Sequence, residues 1–208
     1  MKLEALGGDR FEVTNSGTEA SGTMLLVRIE KGQVRFAQHA AAGANASLEL
    51  TLPTNASTVE ELAEAMVNEL TQAGLYQKEA LAMVNTWHAS WFAEDGTRLL
   101  YLVPEKQTNE LLPLTIDPAP DESVRILVGR LETLTPEDCR RLVEIVTSAD
   151  ANSELVQSEL KTLGRFAEPA IQFALSQEQS PARRQWLEAV LATLRPLKPS
   201  ASVPANVR

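Results

Sequence analysis

The chain is poor in the side chains that hold metals and bridges: it has one cysteine, Cys139, and two histidines, His39 and His88. A lone cysteine excludes an internal disulfide, and its place in an apolar helical pattern predicts a buried, inert thiol. With three soft donors and no two at ligand spacing, no transition-metal site is expected. The phosphate-cradling G-x-x-x-x-G-K-[ST], dinucleotide G-x-G-x-x-G, nucleophile-elbow G-x-S-x-G and zinc H-E-x-x-H patterns are missing too, so neither a cofactor nor a catalytic residue is assigned. Basic residues are also scarce, 19 against 28 acidic, for a formal net charge of −9. That balance opposes a phosphate backbone, and nucleic acid is not an expected partner. No apolar stretch reaches the roughly 18–20 residues that cross a bilayer, so membrane insertion is not expected. Met1-Lys2-Leu3-Glu4 does not open a secretory signal. The chain instead starts inside a strand-like pattern, which predicts a native upstream portion.

What is present is ordinary globular material, 44% hydrophobic and 23% charged. Residues 1–53 alternate as strands do, at Phe11 and Val13, then Leu25, Val27 and Ile29, then Val34 and Phe36, then Leu48, Leu50 and Leu52. Gly7-Gly8-Asp9, Asn15-Ser16-Gly17 and Ala42-Gly43 punctuate them, and Lys31-Gly32 fits a tight hairpin. So few short strands leave an edge open. Four covers are available: an upstream strand, the following helices, a second copy, or residues 1–5 folding back through Gly7-Gly8.

After Pro53 the period changes. Thr58 with Glu61 three residues on is a capping-box pattern ahead of Leu62, Met66 and Leu70, and Gly74 stops that helix. Ala80, Met83, Val84, Trp87 and Trp91 make a second helical stripe over 76–92. Asp95-Gly96 turns the chain into a strand at 99–103, and two further strands are predicted at 112–116 and 124–131. From Thr135, an N-cap before Pro136, the pattern is helical, with later helix starts at Asn152-Ser153, Glu168-Pro169 and Ser180-Pro181. Leu163-Gly164, Glu168-Pro169-Ala170 and Ser180-Pro181 follow the helix–turn–helix grammar of a HEAT-like repeat. Pro199 and Pro204 sit in a stretch without apolar period, which predicts a disordered tail.

The segment Thr86-Trp87-His88-Ala89-Ser90-Trp91-Phe92 gathers two of the three tryptophans and one histidine. Two readings stand. In one, Trp87 and Trp91 are core anchors buried on the small sheet. In the other, Trp87, His88, Trp91, Arg98 and Tyr101 line a ligand face, with His88 gripping a ligand or acting as a general base. Asp117, Asp121 and Glu122 around Pro118-Ala119-Pro120 read as a solvated turn, and as a paired-carboxylate source only under a hydrolase reading. Sequons at Asn45 and Asn55 predict surface positions.

Gly74-Leu75-Tyr76, Lys78-Glu79-Ala80, Ala82-Met83-Val84, Thr86-Trp87, Ser90-Trp91-Phe92, Gly96-Thr97-Arg98-Leu99, Leu112-Pro113-Leu114, Ile116-Asp117-Pro118-Ala119-Pro120 and Val128-Gly129-Arg130 together resemble a group of bacterial proteins described only as hypothetical. The resemblance implies an extracytoplasmic, periplasmic or secreted location and transfers no catalytic residue. Its members commonly carry arginine at the position of His88.

The expected fold is α+β, with a β-rich, sandwich-like unit over 1–55, a two-helix and antiparallel-sheet unit over 56–134, a HEAT-like helical unit over 135–196 and a disordered tail over 197–208. The expected function is a non-catalytic binding or scaffold protein with a protein or small-molecule partner and a homodimer through the N-terminal β edge. The competing expectation is a hydrolase acting on peptide or glycan near Trp87, His88 and Trp91.

Overall fold

A computed structural model describes residues 1–148, 158 and 167–194. Among them the fold is mixed α+β, with two antiparallel sheets and six α-helices. Contacts divide the chain into two compact units that meet in sequence between Thr135 and Pro136.

In the first unit, β1 (Lys2–Gly7), β2 (Arg10–Asn15) and β5 (Ala46–Thr51) form one sheet in the order β1-β2-β5. Residues 2–7 fold back onto β2 through Gly8-Asp9, with Leu3 opposite Val13. Of the four covers open to the sequence, this one is realised. The second sheet runs β4-β3-β6-β7, with β3 Met24–Glu30, β4 Gln33–His39, β6 Gly96–Val103 and β7 Leu127–Thr133. Strands from both sides of Pro53 therefore share one sheet. The β3–β4 turn is Lys31-Gly32, both at positive φ (51° and 78°), the conformation that a two-residue hairpin with right-handed twist demands.

Strand β3 explains the layering. Leu25, Val27 and Ile29 enter a core with Leu62, Met66 and Leu70 of α1 (Val59–Gln72) and Ala80 and Val84 of α2 (Gln77–His88). Met24 and Leu26, on the other face, join Leu3, Phe11, Val13 and Leu50 of the first sheet. Covered on both sides, the strand reads as a continuous apolar run instead of an alternation. Asp9 reaches from the β1–β2 turn to Arg35 of β4 at 2.8 Å and links the sheets. The Thr58–Glu61 capping box forms as the sequence predicts, with Glu61 N donating to Thr58 Oγ1 at 3.1 Å and Thr58 N to Glu61 Oε2 at 2.9 Å.

Three expectations are corrected here, one in whole and two in part. Residues 112–116 form no strand: α3 (Glu105–Leu111) precedes them, and Pro113, Pro118 and Pro120 break any ladder of N–H donors. The strand expected at 124–131 begins only at Leu127, because Val124 packs beside Gly74 and Arg125 bonds to Asn109 and Leu112. Cys139 is half-buried, with burial and then Asp138 and Glu137 holding its thiol above the ordinary value and hence protonated.

In the second unit, α4 (Pro136–Ser148) starts where Thr135-Pro136 predicts. Helices α5 (Ala167–Gln177) and α6 (Pro181–Leu194) form a hairpin around Ala167, Ile171, Ala174, Leu187 and Val190. Arg184 closes its turn by donating to the Leu175 carbonyl at 2.7 Å and that of Glu178 at 3.1 Å. Apart from Ser158, which is helical, the expected helix from Asn152-Ser153 to Gly164 lies outside the described residues, as does the tail over 197–208.

Candidate functional site

The tryptophan segment is built on an irregularity that no pattern signalled. Helix α2 ends at His88 and continues as a π-helical turn, Ala89–Ala93, whose extra residue per turn shifts the face it presents. Trp91 and Phe92 turn inward and are buried. Trp87, expected in the core, is left 49% exposed. Its indole lies nearly parallel to that of Trp91, centroids 6.3 Å apart and planes at 17°. His88 is exposed, edge-on to Phe92 at 5.6 Å.

Beneath the turn sits a buried electrostatic clamp. Arg98 of β6 is 1% exposed, and its Nη1 donates to the carbonyls of Trp91 (2.9 Å) and Ser90 (3.3 Å). Its Nη2 donates to the carbonyls of Glu94 and Asp95. These oxygens end the helical segment, where the backbone dipoles sum to partial negative charge, so a cation is the fitting cap. Register places Glu132 of β7 opposite Arg98 and Arg130 opposite Leu100, all on the helix-covered face. Arg130 donates to Ser90 Oγ at 2.8 Å, to Glu94 Oε2 at 2.6 Å and to Glu132. Burial works against the charge of Arg130, but its bonds to Glu94 and Glu132 outweigh that and raise its pKa. Sequence reading placed Arg98 near the tryptophans and missed Arg130 and Glu132, whose role depends on β6–β7 pairing.

Tyr101 does not join this group. It stands one residue out of phase with Arg98 and Leu100, so it faces the other sheet, where it lies over Gly129 and borders a cleft of about 270 Å³ with Asn15, Ser21 and Lys106. Burial holds its phenol above the ordinary pKa. One wall of the cleft is tied down by buried Asn15, whose Nδ2 donates to the carbonyls of Glu19 (2.8 Å), Ala42 (3.1 Å) and Gly43 (3.0 Å). The five sequence-predicted residues are thus divided: Trp87, His88, Trp91 and Arg98 at the helix end, and Tyr101 across the sheet.

A second surface was invisible in the sequence because its residues read as strand. Leu111, Leu112, Leu114, Ile116 and Val124 are all large, apolar and 43–60% exposed. Leu111 ends α3, and the other four border two adjoining grooves. One, of about 500 Å³, is walled by Leu114, Ile116, Asn109 and Arg125, and the other, of about 390 Å³, by Leu112, Val124, Met83 and Leu127. The segment is braced. Arg125 Nη1 donates to Asn109 Oδ1 at 2.9 Å and Nη2 to the Leu112 carbonyl at 2.6 Å, while Thr108, 2% exposed, anchors α3. Trp87 stands one helical turn beyond Met83, at the end of the α2 wall.

Among the described residues no cluster of three or more His, Cys, Asp or Glu side chains has the geometry to hold a metal ion, and no helix is long and apolar enough to cross a membrane. Asn45 and Asn55 are exposed. Compared with protein families, curated proteins and solved structures, the chain matches none.

Proposed function

We propose that this protein is a non-catalytic module that binds a polypeptide partner through the surface after α3. The observation that carries the proposal is the exposed row Leu111, Leu112, Leu114, Ile116 and Val124. It supplies half of the ten large apolar side chains exposed among the described residues, from a stretch of fourteen. Contiguous exposed apolar surface on a soluble fold marks an interaction site, and a braced segment loses little entropy on binding. The polar groups at the tryptophan turn serve the fold's own carbonyls and carboxylates, which favours a structural over a hydrolytic role there. In this reading the two sheets, which feed one core, act as a small sandwich and the α5–α6 hairpin as a HEAT-like element. The extracytoplasmic location belongs to the same proposal and rests on the sequence resemblance alone.

The test is site-specific photo-crosslinking in the native cells. A benzophenone side chain at position 114 should give a discrete adduct with another polypeptide. The same group at Leu6, exposed to 47% on the first sheet, should not. No adduct at 114, or the same adducts at both sites, refutes the proposal.

A second reading, the homodimer through the N-terminal sheet, is favoured by one observation: among the described residues β1 and β5 each pair on one side only. Sedimentation at micromolar concentration checks it, and a strict monomer excludes it.

A further inference from the structure

The geometry points to the chemistry of the occupant of the grooves after α3: an apolar polypeptide segment carrying lysine or arginine. This inference rests on the binding-module reading above and adds the partner's charge.

Between residues 105 and 125 five carboxylates, Glu105, Glu110, Asp117, Asp121 and Glu122, stand against two cations, Lys106 and Arg125. All five carboxylates are exposed. Lys106 pairs with Glu19 at 3.2 Å. Arg125 lines both grooves and is held by neutral groups, the Asn109 amide oxygen and the Leu112 carbonyl, so its charge stands against Glu105 in the larger groove and Glu79 of α2 in the smaller. The segment as a whole keeps a net charge of −3, five carboxylates less two cations. The apolar row therefore lies within a rim of net negative charge, which exposed Asp117, Asp121 and Glu122 supply beyond the groove walls. Apolar contact supplies affinity there, while the rim selects by sign: an acidic segment meets like charge, and a basic one gains attraction and faster encounter. The same rim opposes a second copy of this chain, which carries a net −9, and an anionic lipid surface.

Fluorescence anisotropy with synthetic peptides tests this on the full chain. Three labelled peptides of equal length are compared, one alternating leucine with lysine, one leucine with glutamate and one serine with lysine. The leucine–lysine peptide should bind, weaken by about tenfold or more between low and physiological salt, and lose binding to Leu114→Ser/Ile116→Ser. Against Glu105→Gln/Asp121→Asn/Glu122→Gln it should bind several-fold more weakly. Both variants alter exposed positions, and circular dichroism melts verify that they fold. Equal binding of the leucine–glutamate peptide overturns the inference, as does equal binding of serine–lysine, binding that survives the groove variant, or no leucine–lysine binding at all. In any of these cases a discrete adduct from position 114 leaves the binding-module reading standing. Absence of that adduct removes both.

Discussion

Tyr101 lies over Gly129, its cross-strand partner, so closely that a Cβ on the glycine would stand 2.3 Å from ring atoms Cε1 and Cζ. Glycine is required for space at this position. Gly129→Ala should push the ring toward the neighbouring cleft and cost about 1–3 kcal/mol. Urea melts in a double-mutant cycle with Tyr101→Ala measure it. The glycine substitution should cost far less once the ring is gone, and an equal cost in both backgrounds would place the strain elsewhere.

Arg98 holds the end of the α2 segment from inside the core. Arg98→Met keeps the volume but strips four carbonyls of a donor, and should cost about 3–5 kcal/mol in denaturant midpoint with a shift in tryptophan fluorescence. Arg98→Lys, with one compact ammonium in place of a fork, should recover only part of the loss.

Trp87 and Trp91 should part company on truncation. Trp91→Ala removes a buried ring and should cost about 3–5 kcal/mol, whereas Trp87→Ala, at a half-exposed site, should cost about 1 kcal/mol. Comparable losses would mean that Trp87 is a core anchor after all.

Two groups make stability fall on acidification in separate windows. His39 is held below the ordinary histidine value by burial, so it folds neutral. Its contribution is intact above about pH 6.5 and is lost as pH falls toward the folded value, because the unfolded chain takes the proton first. Asp9 is held low by its hydrogen bond to Arg35, against the opposing pull of burial. Its contribution is present above about pH 4 and is lost as pH falls through the depressed value. Melts across pH should show His39→Gln flattening the upper window and Asp9→Asn the lower. A variant that leaves its window unchanged would show that the group does not titrate differently on folding.

The parts of the fold legible in the sequence are those set by local chemistry. Thr58 and Glu61 announce α1, Lys31-Gly32 a hairpin, Gly74 a helix end and Pro136 a helix start, each through backbone geometry or a cap a few residues away. The pairing of β3 with β6 was not legible, because nothing within 1–53 shows that its strands divide between two sheets. The π-turn was equally hidden. It changes which of Trp87 and Trp91 is buried, and it is fixed by Arg98, Arg130 and Glu132 from strands that local pattern does not connect to it. The row at 112–116 misled for a related reason: its apolar alternation resembles a strand, yet its prolines and the lack of a neighbouring strand leave those side chains in solvent.

Substituting the row itself tests the central claim most directly, through the thermal melt of Leu112→Ser/Leu114→Ser/Ile116→Ser beside the unaltered chain. If these side chains form a docking surface and not a core, the midpoint should stay within about 2 °C, and binding of a hydrophobic dye should fall. Large apolar side chains replaced in a core would each cost on the order of 2–5 kcal/mol. A fall of ten degrees or more, or a chain that no longer melts cooperatively, would contradict the account.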